Sequence, residues 1–244
     1  MASSSADDDK KHYNLSLLNA WKSERLVYRA VEEDDADKAF ISIAMNGDPV
    51  SVSMGSFRMC APGSLADASK FYEWTKNNPL RVLVCLPPSS TSPETSSDTK
   101  MDTSSPKDNS QDNNLGSRGS GAKEDKPKPI GLVLLFEPKG VEGRHHRSAM
   151  LGISLIPGYR GKGYGGEAAN WAVDWGFMRG NFHRIGLTAF GHNPRAIRCY
   201  QKLGFVEEGR IREAIWHERK WYDEVNFGML ESEWEKLRGF RQED

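Results

Sequence analysis

The sequence predicts an α/β (α+β) domain built on a mixed sheet, and three observations carry that prediction. Segments of period-two alternation and of helical periodicity follow one another in the order β-α-α-β-β-β-α-β-α-β-β. A glycine-rich run, Arg160-Gly161-Lys162-Gly163-Tyr164-Gly165-Gly166, joins an apolar strand segment to a helical one. One long stretch, Pro87 to Pro129, holds only Met101, Leu115 and Ala122 as apolar residues and cannot offset its own ordering entropy.

The first dozen residues read as a disordered tail, and periodic signal begins near Leu15 to Trp21. Ser23 to Ala30 alternates as a strand. The acids Glu32 to Asp35 suit the first turn of a helix, which continues through Ala39, Phe40, Ile43 and Ala44 and stops near Asn46-Gly47-Asp48-Pro49. After a loop, Ser64 to Asn77 places Leu65, Ala68, Phe71, Tyr72 and Trp74 at helical spacing. Leu80 to Leu86 and Ile130 to Phe136 are strands, with the polar stretch inserted between them. Neither flank of that stretch has a complete set of elements, so residues 13–86 and 130–240 are expected to form one domain, with 87–129 a disordered low-complexity insertion in a hairpin.

Beyond the insertion, Ala149 to Ile156 is a strand, Pro157-Gly158-Tyr159 a turn, and Gly165 to Met178 a helix closed by Gly180. His183 to Phe190 is the next strand. Asn193 as N-cap with Pro194 at the first helical position starts a helix that Gly204 ends. Phe205 to Trp216 and Lys220 to Leu230 then form a hairpin.

Composition narrows the function. The mean hydropathy of −0.65 is low for a packed domain, but the insertion accounts for it; without it the chain is about 43% hydrophobic, close to ordinary globular usage. No apolar run is long enough to span a bilayer, and the first residues have no apolar signal core, so the expected setting is cytoplasmic, the nucleus remaining open, with no membrane partner. A net charge of −1 leaves no electrostatic footprint for nucleic acid. Cys60, Cys85 and Cys199 are too few and scattered for a disulfide framework or a metal site, and are expected reduced and mostly buried.

The glycine-rich run carries the chemistry. Glycines at a strand-to-helix junction let backbone N–H groups approach a phosphate, the helix N-terminus adds partial positive charge, and Arg160 and Lys162 add full charges. Gly161-x-Gly163-x-x-Gly166 matches the dinucleotide fingerprint, yet the following strand ends Thr188-Ala189-Phe190-Gly191 without the acid that would hold a ribose. No Gly-Lys-Ser/Thr closes the run, so the P-loop pattern is not met either.

Arg160-x-x-Gly163-x-Gly165 and the later block Asn193-Pro194-Arg195-Ala196-Ile197-Arg198-Cys199-Tyr200-Gln201-Lys202-Leu203-Gly204-Phe205 resemble the two signature blocks of the GNAT superfamily of N-acetyltransferases. Glu24-Arg25-Leu26 and Trp221-Tyr222-Asp223 extend the resemblance to the subgroup of ribosomal-protein amino-terminal and spermidine acetyltransferases. The resemblance implies a mostly antiparallel sheet with a splayed parallel central pair and flanking helices. It also implies acetyl-CoA as cofactor, with the backbone of Ile153, Ser154 and Leu155 against the pantetheine arm and Arg160, Gly161, Lys162, Gly163, Tyr164, Gly165 and Gly166 around the pyrophosphate. Asn193 and Lys202 join the implied cofactor contacts, and Tyr200 is the implied catalytic acid that protonates the departing thiolate.

One position departs from the pattern. Where relatives carry a Glu before the glycine-rich run, this chain has Met150, so a carboxylate base there is excluded. His183, Glu137 or Asp223 working through water, or an amine that arrives neutral, remain open; an α-amine, with a pKa near 8 against about 10.4 for Lys, suits the second case. The implied acceptor region, Ile41 to Cys60, holds one acid, Asp48, which favours a small amine or a peptide amino terminus over a polyamine. A polyamine acetyltransferase, a non-catalytic CoA-binding module and a nicotinamide-dinucleotide enzyme stay as alternatives, and a homodimer is the candidate assembly.

Overall fold

A computed structural model of the chain describes residues 17–42, 47–88, 126–138 and 143–240. The expected tail and nearly all of the expected insertion lie outside them. Contacts divide the chain into a unit of Met1–Pro87 with Pro127–Asp244 and a second of Pro88–Lys126; the architecture below is that of the first.

Strands β1 (Val27–Ala30), β2 (Leu80–Leu86), β3 (Lys128–Phe136), β4 (Ser148–Leu155), β5 (Arg184–Phe190), β6 (Val206–His217) and β7 (Lys220–Leu230) form one seven-stranded sheet in the order β1-β2-β3-β4-β5-β7-β6. Every neighbour pair is antiparallel except β4–β5, which is parallel. This is the expected fold class. Helices α1 (Asp35–Ser42), α2 (Pro49–Gly55), α3 (Leu65–Thr75), α4 (Tyr164–Met178), α5 (Pro194–Lys202) and α6 (Glu231–Arg238) flank it.

β2 and β3 are apolar on both faces because both are covered. Leu83, Cys85, Leu132 and Leu134 pack with Ile41 and Tyr72 from α1 and α3, while Val82, Val84, Val133 and Leu135 join the larger core under α4. α4 lies close on the sheet: a Cβ on Gly176 would stand 2.7 Å from Ile185 Cδ1 and 3.0 Å from Leu135 Cδ1. Trp171 of α4 stacks on Tyr28 of β1 at 3.7 Å and donates to Ala20 C=O at 3.0 Å, which fastens the first strand to the core.

Ser64 caps α3 through a capping box with Asp67, and Asn193 caps α5 by accepting from the Ala196 N–H, as the sequence predicts. Three elements differ from expectation. β1 is shorter, because Ser23 N–H donates back to Leu26 C=O and turns the chain before Val27. The expected end of the first helix, residues 43–46, lies outside the described residues; where a loop was expected after it, Asp48 accepts from the Ser51 N–H and Pro49 occupies the first turn of a further helix, α2. α6 follows β7 directly and docks through the buried Asp174, which accepts from Trp234 Nε1 at 2.8 Å and Arg238 Nε at 2.9 Å. Cys85 is buried and Cys199 half-buried as expected, whereas Cys60 is exposed; all three are free.

Candidate active site

β4 and β5 pair over only three positions, Ser148↔Arg184, Ala149↔Ile185 and Met150↔Gly186, and then diverge. β4 keeps its other neighbour to the end, with Leu155 opposite Gly131 of β3. Ile156 N–H donates to Ile130 C=O, and the alternation of an antiparallel ladder then turns the backbone of Gly152 and Ser154 toward β3. Beyond the last pair with β5, the peptide groups of Ile153 and Leu155 face the gap instead, the Leu155 C=O accepting from Arg160 Nε. Of the three residues expected to offer backbone there, Ile153 and Leu155 do; Ser154 contributes its hydroxyl, 3.2 Å from Ser51 Oγ of α2.

The gap runs into the glycine-rich loop. Gly161 and Gly163 adopt φ of +77° and +86°, a left-handed conformation that glycine takes without strain, and Gly163 forms the N-cap position of α4. A Cβ on Gly166 would stand 3.1 Å from Cys199 Sγ, so this glycine lets α4 approach α5. The helix N-terminus and its free N–H groups therefore open on the loop. Lys162 extends from it, its Nζ 5.7 Å from the Tyr159 ring.

Two arginines that sequence reasoning passed over also reach the loop. A Cβ on Gly161 would stand 3.2 Å from Arg195 Nη1. Arg25 donates from Nη1 to Lys162 C=O at 3.0 Å and lies over the Tyr164 ring at 4.7 Å, while Glu167 of α4 accepts from its Nε at 2.8 Å and its N–H at 2.7 Å. The Glu24-Arg25-Leu26 match was the available signal for Arg25; for Arg195, it was only the position one residue past Pro194.

Arg160 is placed differently from expectation. Its Nε donates to Leu155 C=O at 2.8 Å, and its Nη2 donates to Ser51 Oγ at 2.6 Å and pairs with Asp48. Burial would raise the Asp48 carboxyl, but the hydrogen bonds from Arg160 and Ser51 outweigh it and hold it below the usual carboxylate range. Arg160 thus ties the end of β4 to α2. Lys202 stands at the exposed C-terminal end of α5.

α2 spans the mouth of the split. On one side lie Arg160 and Ser154; on the other, His192 Nε2 meets Ser53 C=O at 2.9 Å and Asn193 Nδ2 donates to Met54 C=O at 3.4 Å. The Asn193 side chain is thereby committed to its own helix cap and to α2. Since a carbonyl only accepts, His192 Nε2 carries the hydrogen, and burial lowers the ring's pKa so that it is held neutral.

Tyr200 packs beside Phe205 and Phe227, with ring centroids at 6.1 and 6.4 Å. Phe227 faces Leu187, the first β5 residue beyond the last β4–β5 pair, so Tyr200 lies where the split opens. Burial pushes its phenol up to about 12, which keeps the proton on oxygen at neutral pH. Burial also raises the Cys199 thiol and leaves it a poor nucleophile. Two candidate bases are removed by strand direction: Glu137 follows the end of β3 beside the start of β4, and His183 precedes β5, 3.5 Å from Glu231, both at the paired end of the split. Asp223 lies at the open end but accepts from the Glu213 N–H at 3.1 Å.

The Acetyltransferase (GNAT) family matches residues 87–205. That match covers just under half of the chain. The spermidine N(1)-acetyltransferase of Vibrio cholerae is 35% identical to it over 105 residues, 43% of this chain and 58% of that protein. The Escherichia coli spermidine N(1)-acetyltransferase is 41% identical over 81 residues, 33% and 41% of the two chains. The chain spans about half the length of the curated relatives it matches. The crystal structure of the Vibrio cholerae spermidine N-acetyltransferase with CoA and spermine superposes on this chain with a TM-score of 0.61 at 24% identity, covering 87% of this chain and 99% of that one. That likeness is one of fold.

Proposed function

We propose that the protein is an acetyl-CoA-dependent N-acetyltransferase that transfers acetyl to a primary amine by direct attack in a ternary complex. The observation that carries the reading is the end of β4 that has lost its β5 partner, with the backbone of Ile153 and Leu155 facing the gap and the loop of Gly161, Gly163, Gly165 and Gly166 beyond it. A chain of amides fits the first and a pyrophosphate the second.

Acetyl-CoA supplies an acetyl group activated as a thioester. The gap-facing amides of β4 hold the arm that bears it, and a free N–H there can stabilise negative charge on the carbonyl oxygen. Loop N–H groups, Lys162 and Tyr164 hold the phosphate end, with Arg195 and Arg160 as nearby cations. The amine nitrogen bonds to the carbonyl carbon, the carbon–sulfur bond breaks, and the amine's surplus proton leaves to solvent. Tyr200 holds the proton that the departing thiolate takes up.

The acceptor is a small primary amine in this reading; relatives named as spermidine acetyltransferases support a polyamine among the candidates. Thiol release from acetyl-CoA, measured against alkylamines, polyamines and short peptides, tests the proposal. Turnover on at least one amine class is expected. Cofactor binding without turnover on every acceptor would favour a CoA-binding module, and stabilisation by NAD in place of CoA would favour the dinucleotide alternative.

A further inference from the structure

Most acids at the open end of the split are neutralised where they stand. Asp48 pairs with Arg160, and Asp223 lies 4.0 Å from Arg210 while its other oxygen accepts from a backbone N–H. Glu224 differs: it is half-buried on β7, and among the described residues its carboxylate has neither a cation nor a hydrogen-bond donor.

The strand register says which way it faces. Phe190 is opposite Glu224 and Thr188 opposite Asn226, and directly opposed residues of an antiparallel pair share a face. The Phe190 ring meets Phe57, just after α2, at 5.1 Å. Tyr222, two residues before Glu224 and so on the same face, lies 5.2 Å from His192, which is bonded to α2. Met150 belongs to this face as well, since a Cβ on Gly186 would stand 3.0 Å from its Sδ. Glu224 therefore stands on the α2-covered face of the split, the face where Met150 fills the position of the missing Glu, and opposite the core face on which Tyr200 packs.

We propose that Glu224 is the carboxylate that receives the acceptor's ammonium group, an inference that rests on the acetyltransferase reading. The physical reason is complementarity: an unpaired, partly desolvated carboxylate beside the aromatic rings of Phe57, Phe190 and Tyr222 suits a primary aliphatic ammonium with an apolar chain. Glu224 lies two strands across and four residues along from Met150, at the open end of the split. The ligand class is a cationic alkylamine or polyamine.

Steady-state kinetics at saturating acetyl-CoA, with n-butylamine and spermidine as probes, test this. Glu224→Gln is expected to raise the acceptor KM at least tenfold while the acetyl-CoA dissociation constant stays within twofold, and Glu224→Asp to stay within about threefold of wild type. The wild-type acceptor KM should rise with ionic strength and that of Glu224→Gln should not. An unchanged acceptor KM in Glu224→Gln, a parallel loss of acetyl-CoA affinity, or a wild-type KM indifferent to salt overturns the assignment. A wild-type protein that binds acetyl-CoA and acetylates neither probe overturns the acetyltransferase reading itself, and the assignment with it.

Discussion

At the scale of single residues, Tyr200 and Asp48 are shifted in opposite directions, the first by burial and the second by hydrogen bonds from Arg160 and Ser51 that outweigh burial. Tyr200 is pushed up from 10.0 to about 12 because its anion would be desolvated, so it stays a proton donor through the neutral range. Tyr200→Phe is expected to lower turnover about 100-fold with little change in acetyl-CoA affinity, read by steady-state rates beside calorimetric titration; equal turnover would remove it as the acid. Because its folded pKa is raised, its contribution to stability is complete below pH 10 and fades as pH climbs toward 12. Asp48 is shifted the other way, and its contribution is complete above the usual carboxylate range and lost as pH falls through its folded value. Asp48→Asn, which keeps a capping side chain but loses the Arg160 pair, should cost roughly 1–3 kcal/mol and flatten the acid side of a pH-dependent urea denaturation series. Tyr200 was legible because it sits in a spaced block. The Asp48–Arg160 pair was not, since 112 residues separate its members and only the fold brings them together.

At the scale of elements, local chemistry predicts helix starts better than helix count. Asn193-Pro194 and Ser64-x-x-Asp67 each mark a start that the structure shows at the same residue. Asp48-Pro49 carries the same kind of signal but follows a helix so closely that it reads as a stop, and α2, the element that spans the split, stays hidden. Its function depends on contacts with β4, β5 and α5 that have no sequence period. α4 is the opposite case, because its buried face is determined by close packing on the sheet. Gly176→Ala must push a methyl against Ile185 and Leu135, and is expected to cost about 1–3 kcal/mol, measured as a lower urea midpoint with an unchanged m-value.

At the scale of the whole molecule, β2 and β3 pair from Leu80↔Leu135 to Leu86↔Lys128, so the chain before 87 and the chain after 127 share one sheet. A loop spliced between such neighbours adds closure entropy only slowly with length. Replacing residues 89–125 with a short Gly-Ser turn is therefore expected to leave the melting temperature within a few degrees and acetyl-CoA binding intact; a large loss of either would show that the insertion supports the domain. The replacement must spare Lys128 and Pro129, which belong to β3. By itself the sequence determined the seven strands, four of the helices and the glycine-rich junction between β4 and α4, because each is written in short-range period and spacing. Only the tertiary structure decided which β4 amides face the gap, that Arg160 is held by Asp48, that Glu137 and His183 lie at the closed end, and that Glu224 stands on the α2 face without a cation or donor among the described residues. Those facts depend on strand register and direction, which side-chain alternation along one strand does not specify.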